Sequence, residues 1–250
     1  MLTSYGPKKL REFDSPALGQ FYTKVGLMYF SQRLASPKPT VILGDGPSLK
    51  DTDLGLLRDG NAKVLCINYS IRRFPAADVF YYHHEEKVEE MIGSVDVLGR
   101  FLTGELQVYS SSFVSKHAGR PWPVVPFSGR TGFELDPRLG IRTGGNSGAA
   151  AINLAYHMGA RKIVLVGVDC CEAENGEFNW WKTPRDPSRL KYDYPDWIRK
   201  FELLAAELPG TGLEVVNASV RTALKTFPQV TLAEALLGDT RMGGRSLENS

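Results

Sequence analysis

Apolar side chains fall along this chain in two alternating rhythms. Short apolar, β-branched or aromatic blocks read as strands: TVILG (40–44), AKVLCIN (62–68), ADVFYYHH (77–84), LQVYSSS (106–112), KIVLVGVD (162–169) and LEVVNAS (213–219). KIVLVGVD is apolar on both faces, the pattern of a strand in a sheet covered on both sides. Segments of helical character lie between them, near 49–58, then EEKVEEMIGSV (85–95), NSGAAAINLAYHMGA (146–160), DWIRKFELLAAEL (196–208) and VTLAEALL (230–237). That alternation predicts βαβ units, and with them an α/β fold built on a Rossmann-like, mostly parallel sheet with helices on both faces.

The remaining stretches set the boundaries. Residues 17–34 place apolar side chains at helical spacing ahead of a Pro-rich connector, so residues 1–39 are expected to carry a helix that precedes the main fold. Residues 40–237 are expected to form the Rossmann-like nucleotide-binding domain, and 238–250 a disordered tail. Residues 113–145, rich in Gly, Pro, Arg and Ser, show no clear period; a stretch of that length without regular elements is often a functional loop. A second loop, 174–195, interleaves Trp180, Trp181, Tyr192 and Tyr194 with Lys182, Arg185, Arg189 and Lys191, and reads either as a lid that stacks on a nucleotide or as a surface loop packing its tryptophans on the sheet edge. No internal repeat is present.

Composition narrows the classes. With 250 residues, 42% hydrophobic and 23% charged, the chain has enough apolar material for one principal domain. A formal net charge of +2 is too small to hold a protein to nucleic acid or a membrane by bulk electrostatics. Cys66, Cys170 and Cys171 form no disulfide framework, which predicts a reduced, cytoplasmic setting; no C-x-x-C or His-rich tract offers a metal site, so no resident metal is expected. The N-terminal basic stretch lacks an apolar run after it, and no window approaches a membrane span.

The chemistry concentrates at strand ends. In VILGDGPSLKD (41–51), Gly44 and Gly46 permit a tight turn and close approach of a ligand, Pro47 suits a loop-to-helix junction, and Ser48 with Asp51 matches a capping box. This predicts a helix N-terminus at the carboxyl edge of a parallel strand, a candidate phosphate site, although Leu49 breaks the dinucleotide fingerprint and no P-loop lysine follows. Asn146 or Ser147 caps a second such helix, with Gly144, Gly145 and Gly148 leaving its first turn open. Asp169 ends a buried strand and either faces the crevice or caps the next turn. Asn68 ends another strand, and His83 and His84 follow a third, where a histidine can act as a general base. His117, His157 and the vicinal cysteines read as structural.

Taken together, VILGDGPSLKDTDLGLL, VLCINYS, NSGAAAINLAYHMGARKIVLVGVD and VVNAS resemble the bacterial sialyltransferases of the family 42 glycosyltransferases. They resemble more closely a group of phage and bacterial proteins of unassigned function with the same G-P-S-L and N-S-G blocks, and archaeal pterin diphosphokinase-like proteins share the G-P-S-L turn. The resemblance spans roughly residues 40–235. It implies that Asp45 (Asn in the sialyltransferases), Gly46, Pro47, Ser48 and Asn68 contact the nucleotide of a CMP-sugar-like donor. Asn146, Ser147 and Gly148 would lie near the donor's sugar and carboxylate, Asp169 on the nucleotide side, and Tyr192 and Tyr194 near the phosphate. The family's histidine base after the Gly-x-Asp strand has no counterpart, since no histidine follows His157. The expectation is therefore a nucleotide-dependent, sialyltransferase-like transferase in the cytoplasm of a bacterium or phage-infected host, with no tightly bound cofactor and no membrane partner. His84, His83, Asp169 or Asp196 would supply the base, and the acceptor would be a glycan or a modified base. A Mg²⁺-dependent diphosphokinase-like enzyme using Asp45, Asp51, Asp169 and Glu172, a phage DNA-base-modifying transferase, and a non-catalytic nucleotide binder stand as alternatives, and a homo-oligomer stays open.

Overall fold

The computed structural model describes residue 30 and residues 33–83, 87–111, 122–181 and 193–237. The helix expected over 17–34 (apart from Phe30, Arg33 and Leu34), His84, His117, Lys182, Arg185, Arg189, Lys191, Tyr192 and the tail 238–250 lie outside the described residues.

Each apolar block forms a strand close to its expected place. The strands are β1 (Thr40–Leu43), β2 (Lys63–Ile67), β3 (Val79–Tyr82), β4 (Gln107–Ser110), β5 (Phe127–Gly129), β6 (Ile141–Arg142), β7 (Lys162–Val166) and β8 (Glu214–Asn217). Six of them make one sheet in the order β4-β3-β2-β1-β7-β8, and every pairing in it is parallel. The α-helices are α1 (Val88–Ile92), α2 (Val97–Leu102), α3 (Ser147–His157), α4 (Tyr194–Ala206) and α5 (Leu232–Leu237).

Both faces of the sheet are buried, and alternation along each strand divides the core in two. Ile42, Leu65, Ile67, Tyr81, Ile163 and Leu165 point toward α3 and α4. Val41, Leu43, Val64, Cys66, Phe80, Val164 and Val166 point toward α1, α2, α5 and the turns after β1 and β2. The fold is thus the α/β, Rossmann-like sheet that the strand–helix alternation implies.

Three expectations are corrected. The helix near 49–58 is replaced by two short 3-10 turns, Pro47–Asp51 and Leu54–Leu57, in a stretch holding Gly55 and two aspartates that favour turns over helix. The stretch 113–145 is not without regular elements, because β5 and β6 pair as a separate two-stranded parallel sheet leading into α3. Of the helix expected over 85–95, Glu85 and Glu86 lie outside the described residues, and the described part, α1, ends at Gly93, which adopts φ 52°.

Register sets the position of the site. Leu43 lies level with Cys66 on one side and Val166 on the other, so the turns after β1, β2 and β7 leave the sheet along one edge. The chain steps outward from β1 to β2, β3 and β4, then resumes on β1's other side with β7 and β8. Open α/β sheets bind ligands at such a reversal, outside the carboxyl ends of the strands.

Candidate functional site

The turn after β1 is locked to the turn after β7. The Gly44 amide donates to Val166 O at 2.8 Å, and the Gly46 amide to Gly167 O at 2.8 Å. A Cβ on Gly44 would stand 2.5 Å from Gly167 O, and one on Gly46 2.4 Å from the Asp169 carboxyl carbon. Both glycines are therefore required by the neighbouring turn's approach, and neither has positive φ.

Asp169, 3% exposed, accepts from the Ser48 amide at 2.7 Å and from Ser48 Oγ at 2.6 Å. The capping box expected between Ser48 and Asp51 does not form. Asp169 takes that role from across the sheet, while Asp51 pairs with Arg221 at 3.5 Å. Residues 46–49 consequently offer no amide to a phosphate: Gly46 bonds Gly167, Pro47 has none, Ser48 bonds Asp169 and Leu49 bonds Gly46 O. Burial pushes the Asp169 carboxyl up to about 6, with the Ser48 hydrogen bonds opposing the rise.

Asp45 has a different environment. Its Oδ2 receives one long hydrogen bond from the Tyr69 amide at 3.4 Å, and its Oδ1 is buried without a partner. Burial pushes this carboxyl up to about 8, against smaller opposing contributions from Tyr69, Asn68, Ser70 and Trp180.

Asn68, at φ 48°, joins three elements. Its amide nitrogen donates to Ser147 Oγ at 3.3 Å, and its carbonyl oxygen accepts from the His83 amide at 3.2 Å. His83 Nδ1 lies 2.7 Å from Ser111 Oγ, and the ring stacks on Phe127. At the start of α3, Asn146 Oδ1 accepts from the Ala149 amide at 2.8 Å, which satisfies one amide of the first turn. The Ser147 and Gly148 amides have no intrahelical acceptor by position. Gly145 lies beneath two cations: a Cβ there would stand 2.9 Å from Lys200 Nζ and 3.6 Å from Arg130 Nη2. Lys200 is also paired with Asp196, which holds that carboxyl below its ordinary range.

A cavity of about 780 Å³, within the range of small-molecule sites, opens beside these groups, though Ser111, Asp196 and Lys200 do not line it. Gly44, Asp45, Gly46, Asn68, His83, Asn146, Ser147, Gly148, Asp169 and Tyr194 all line it, so the strand ends read from sequence do converge. Pro47 and Ser48 are buried behind the wall and do not line it. His84 and Tyr192 lie outside the described residues.

The wall also includes residues that sequence reading missed. Tyr69, Lys87, Phe127, Arg130 and Thr143 carry no pattern that marks them, because the turn after β2, the start of α1, and β5 and β6 with their connections bring them in through the tertiary fold. Trp181 lines the cavity while stacking on Tyr69, with ring centroids 3.9 Å apart, and Arg73 lies over Trp180. The described part of the 174–195 loop thus packs its tryptophans on the protein's own residues. Cys170 and Cys171 line the cavity too, but burial raises both thiols, Cys170 to about 12, which keeps them protonated and poorly nucleophilic near neutrality.

Fold and crevice define an α/β protein with a cavity at the switch point of a Rossmann-like parallel sheet. Comparison with known proteins adds nothing to this: no family model, curated protein or solved structure matches the chain. Among the described residues no helix is long and apolar enough to cross a membrane, and no three His, Cys, Asp or Glu side chains gather as a metal-binding group.

Proposed function

We propose that the cavity binds a nucleotide-activated donor, of the CMP-sugar kind, and that the protein is a sialyltransferase-like glycosyltransferase. The observation that carries this reading is the convergence of Asp45, Asn68, His83 and the opening turn of α3 on one cavity of about 780 Å³ at the sheet's switch point.

In this reading the phosphate of the donor lies at the start of α3. The Ser147 and Gly148 amides, with Arg130 near Gly145, would stabilise the negative charge that develops on the leaving phosphate. His83 is the base that the geometry favours, because it lines the cavity and its ring is oriented by Ser111. Asp169 is a poorer base, since both its oxygens are engaged by Ser48. Asp196 is committed to Lys200 and Arg199. No observation favours the Mg²⁺-dependent alternative over this one.

A thermal-shift panel of CMP, CDP, UDP, GDP and ATP, each with and without Mg²⁺, tests the reading, because a ligand bound only by the folded state raises apparent stability. The expected outcome is stabilisation by CMP or CDP that does not depend on Mg²⁺. A chain indifferent to all five nucleotides would defeat the proposal. Where CMP binds, hydrolysis of a CMP-sugar that falls about a hundredfold or more in His83→Ala separates a transferase from a passive binder.

A further inference from the structure

Two carboxyl groups line the cavity; both oxygens of Asp169 accept from Ser48, so Asp45 is the less satisfied of the two. Oδ1 is buried with no partner and Oδ2 holds a single long bond, and among the described residues no Lys, Arg or His pairs with it. A carboxylate in this half-buried position would lose part of its hydration for weak hydrogen bonds only, whereas a neutral carboxyl group at the cavity wall would have an O–H to give to something in the cavity. Asp45 lies beside Asn68, which bonds Ser147 at the opening of α3, where negative charge is favoured.

We infer that Asp45 meets the bound nucleotide as a neutral carboxylic acid, donating its O–H to an anionic oxygen of the ligand. This rests on the nucleotide reading above. A neutral carboxyl group offers one donor and one acceptor, as an amide does; the ionised group offers only acceptors and repels a phosphate at close range. The titratable groups that interact with it are Cys66 on β2 and Tyr69 on the following turn, while Asp169, His83, Lys87 and Arg130 line the same cavity. Burial raises both the Cys66 thiol and the Tyr69 phenol, so neither becomes a competing anion near neutrality. Since Asp45 itself is pushed up to about 8, ligand binding has an alkaline limit set by this residue.

The test is CMP affinity measured calorimetrically from pH 7 to pH 9, a window in which the phosphate is already ionised. Wild-type affinity is expected to fall about tenfold across the window, as one proton is lost from the binding-competent form. Asp45→Asn has no proton to lose there, so its affinity stays level. Equal pH profiles for the two proteins would overturn the inference and leave the nucleotide reading standing. If CMP binds neither protein, the Asp45 carboxyl carbon, assigned in the NMR spectrum by its absence from Asp45→Asn, still decides. A midpoint near 8 in the ligand-free protein supports a neutral donor awaiting another anionic ligand, and one below about 5, close to an unperturbed aspartate, overturns it.

Discussion

Asp169 shows how a residue can be visible in a sequence while its partner is not. Its place at the end of an apolar run marked it for the crevice edge, and it does line the cavity. Its partner, Ser48, lies 121 residues away, and nothing local to either residue announces the pair. Removing the carboxyl leaves the Ser48 amide and hydroxyl buried without an acceptor. Asp169→Ala is therefore expected to lower stability by about 2–3 kcal/mol in urea unfolding, while Asp169→Asn, which keeps an oxygen for the Ser48 amide, loses less than half of that. Equal losses in the two variants would mean that the hydrogen bonds contribute little and packing dominates. Asp45 and Asn68 were legible as strand-end residues because a parallel sheet delivers its strand ends to one edge. Lys200 and Arg130 were not, since their meeting above Gly145 depends on how α4 packs beside α3.

At the scale of elements, periodicity located all six strands of the main sheet, because buried parallel strands must be apolar over most of their length. It failed where elements are short. Two 3-10 turns follow β1 in place of a helix, and β5 and β6 are brief strands with no run long enough to register. The G-D-G-P-S sequence is best understood as a seam between β1 and β7. Gly46→Ala would press a methyl group onto Asp169 and onto Gly167 O, 2.7 Å away, and is expected to cost about 2–3 kcal/mol. Gly129→Ala is the matched control, since a Cβ there meets only Arg142 Nη1 at an ordinary 3.7 Å and should change stability by less than about 0.5 kcal/mol. A similar loss in both would show that the seam is looser than its contacts imply.

For the whole molecule, the two raised carboxyls give stability an unusual dependence on pH. Asp45 and Asp169 hold protons in the folded state, up to about 8 and about 6, that an unfolded chain releases near 3.8, the ordinary value of an aspartate. Their contribution is greatest in acid and declines as pH rises toward those values, then stays constant above them. His157, pushed down by burial, works in the opposite direction on the acid side of its ordinary range. The comparison that isolates Asp45 is the Tm of Asp45→Asn minus that of wild type, which is expected to widen from pH 5 to pH 8 and level off beyond. A difference that does not change with pH would contradict the neutral acid. The sheet order has a further consequence, for how the chain is made. β1 is central, yet only its β2 side can be filled early, and its other neighbour, β7, begins at Lys162. A ribosome adding about 5–20 residues per second would leave that flank of β1 unpaired for several seconds, exposed to any stray strand, until the second half of the polypeptide arrives to close it.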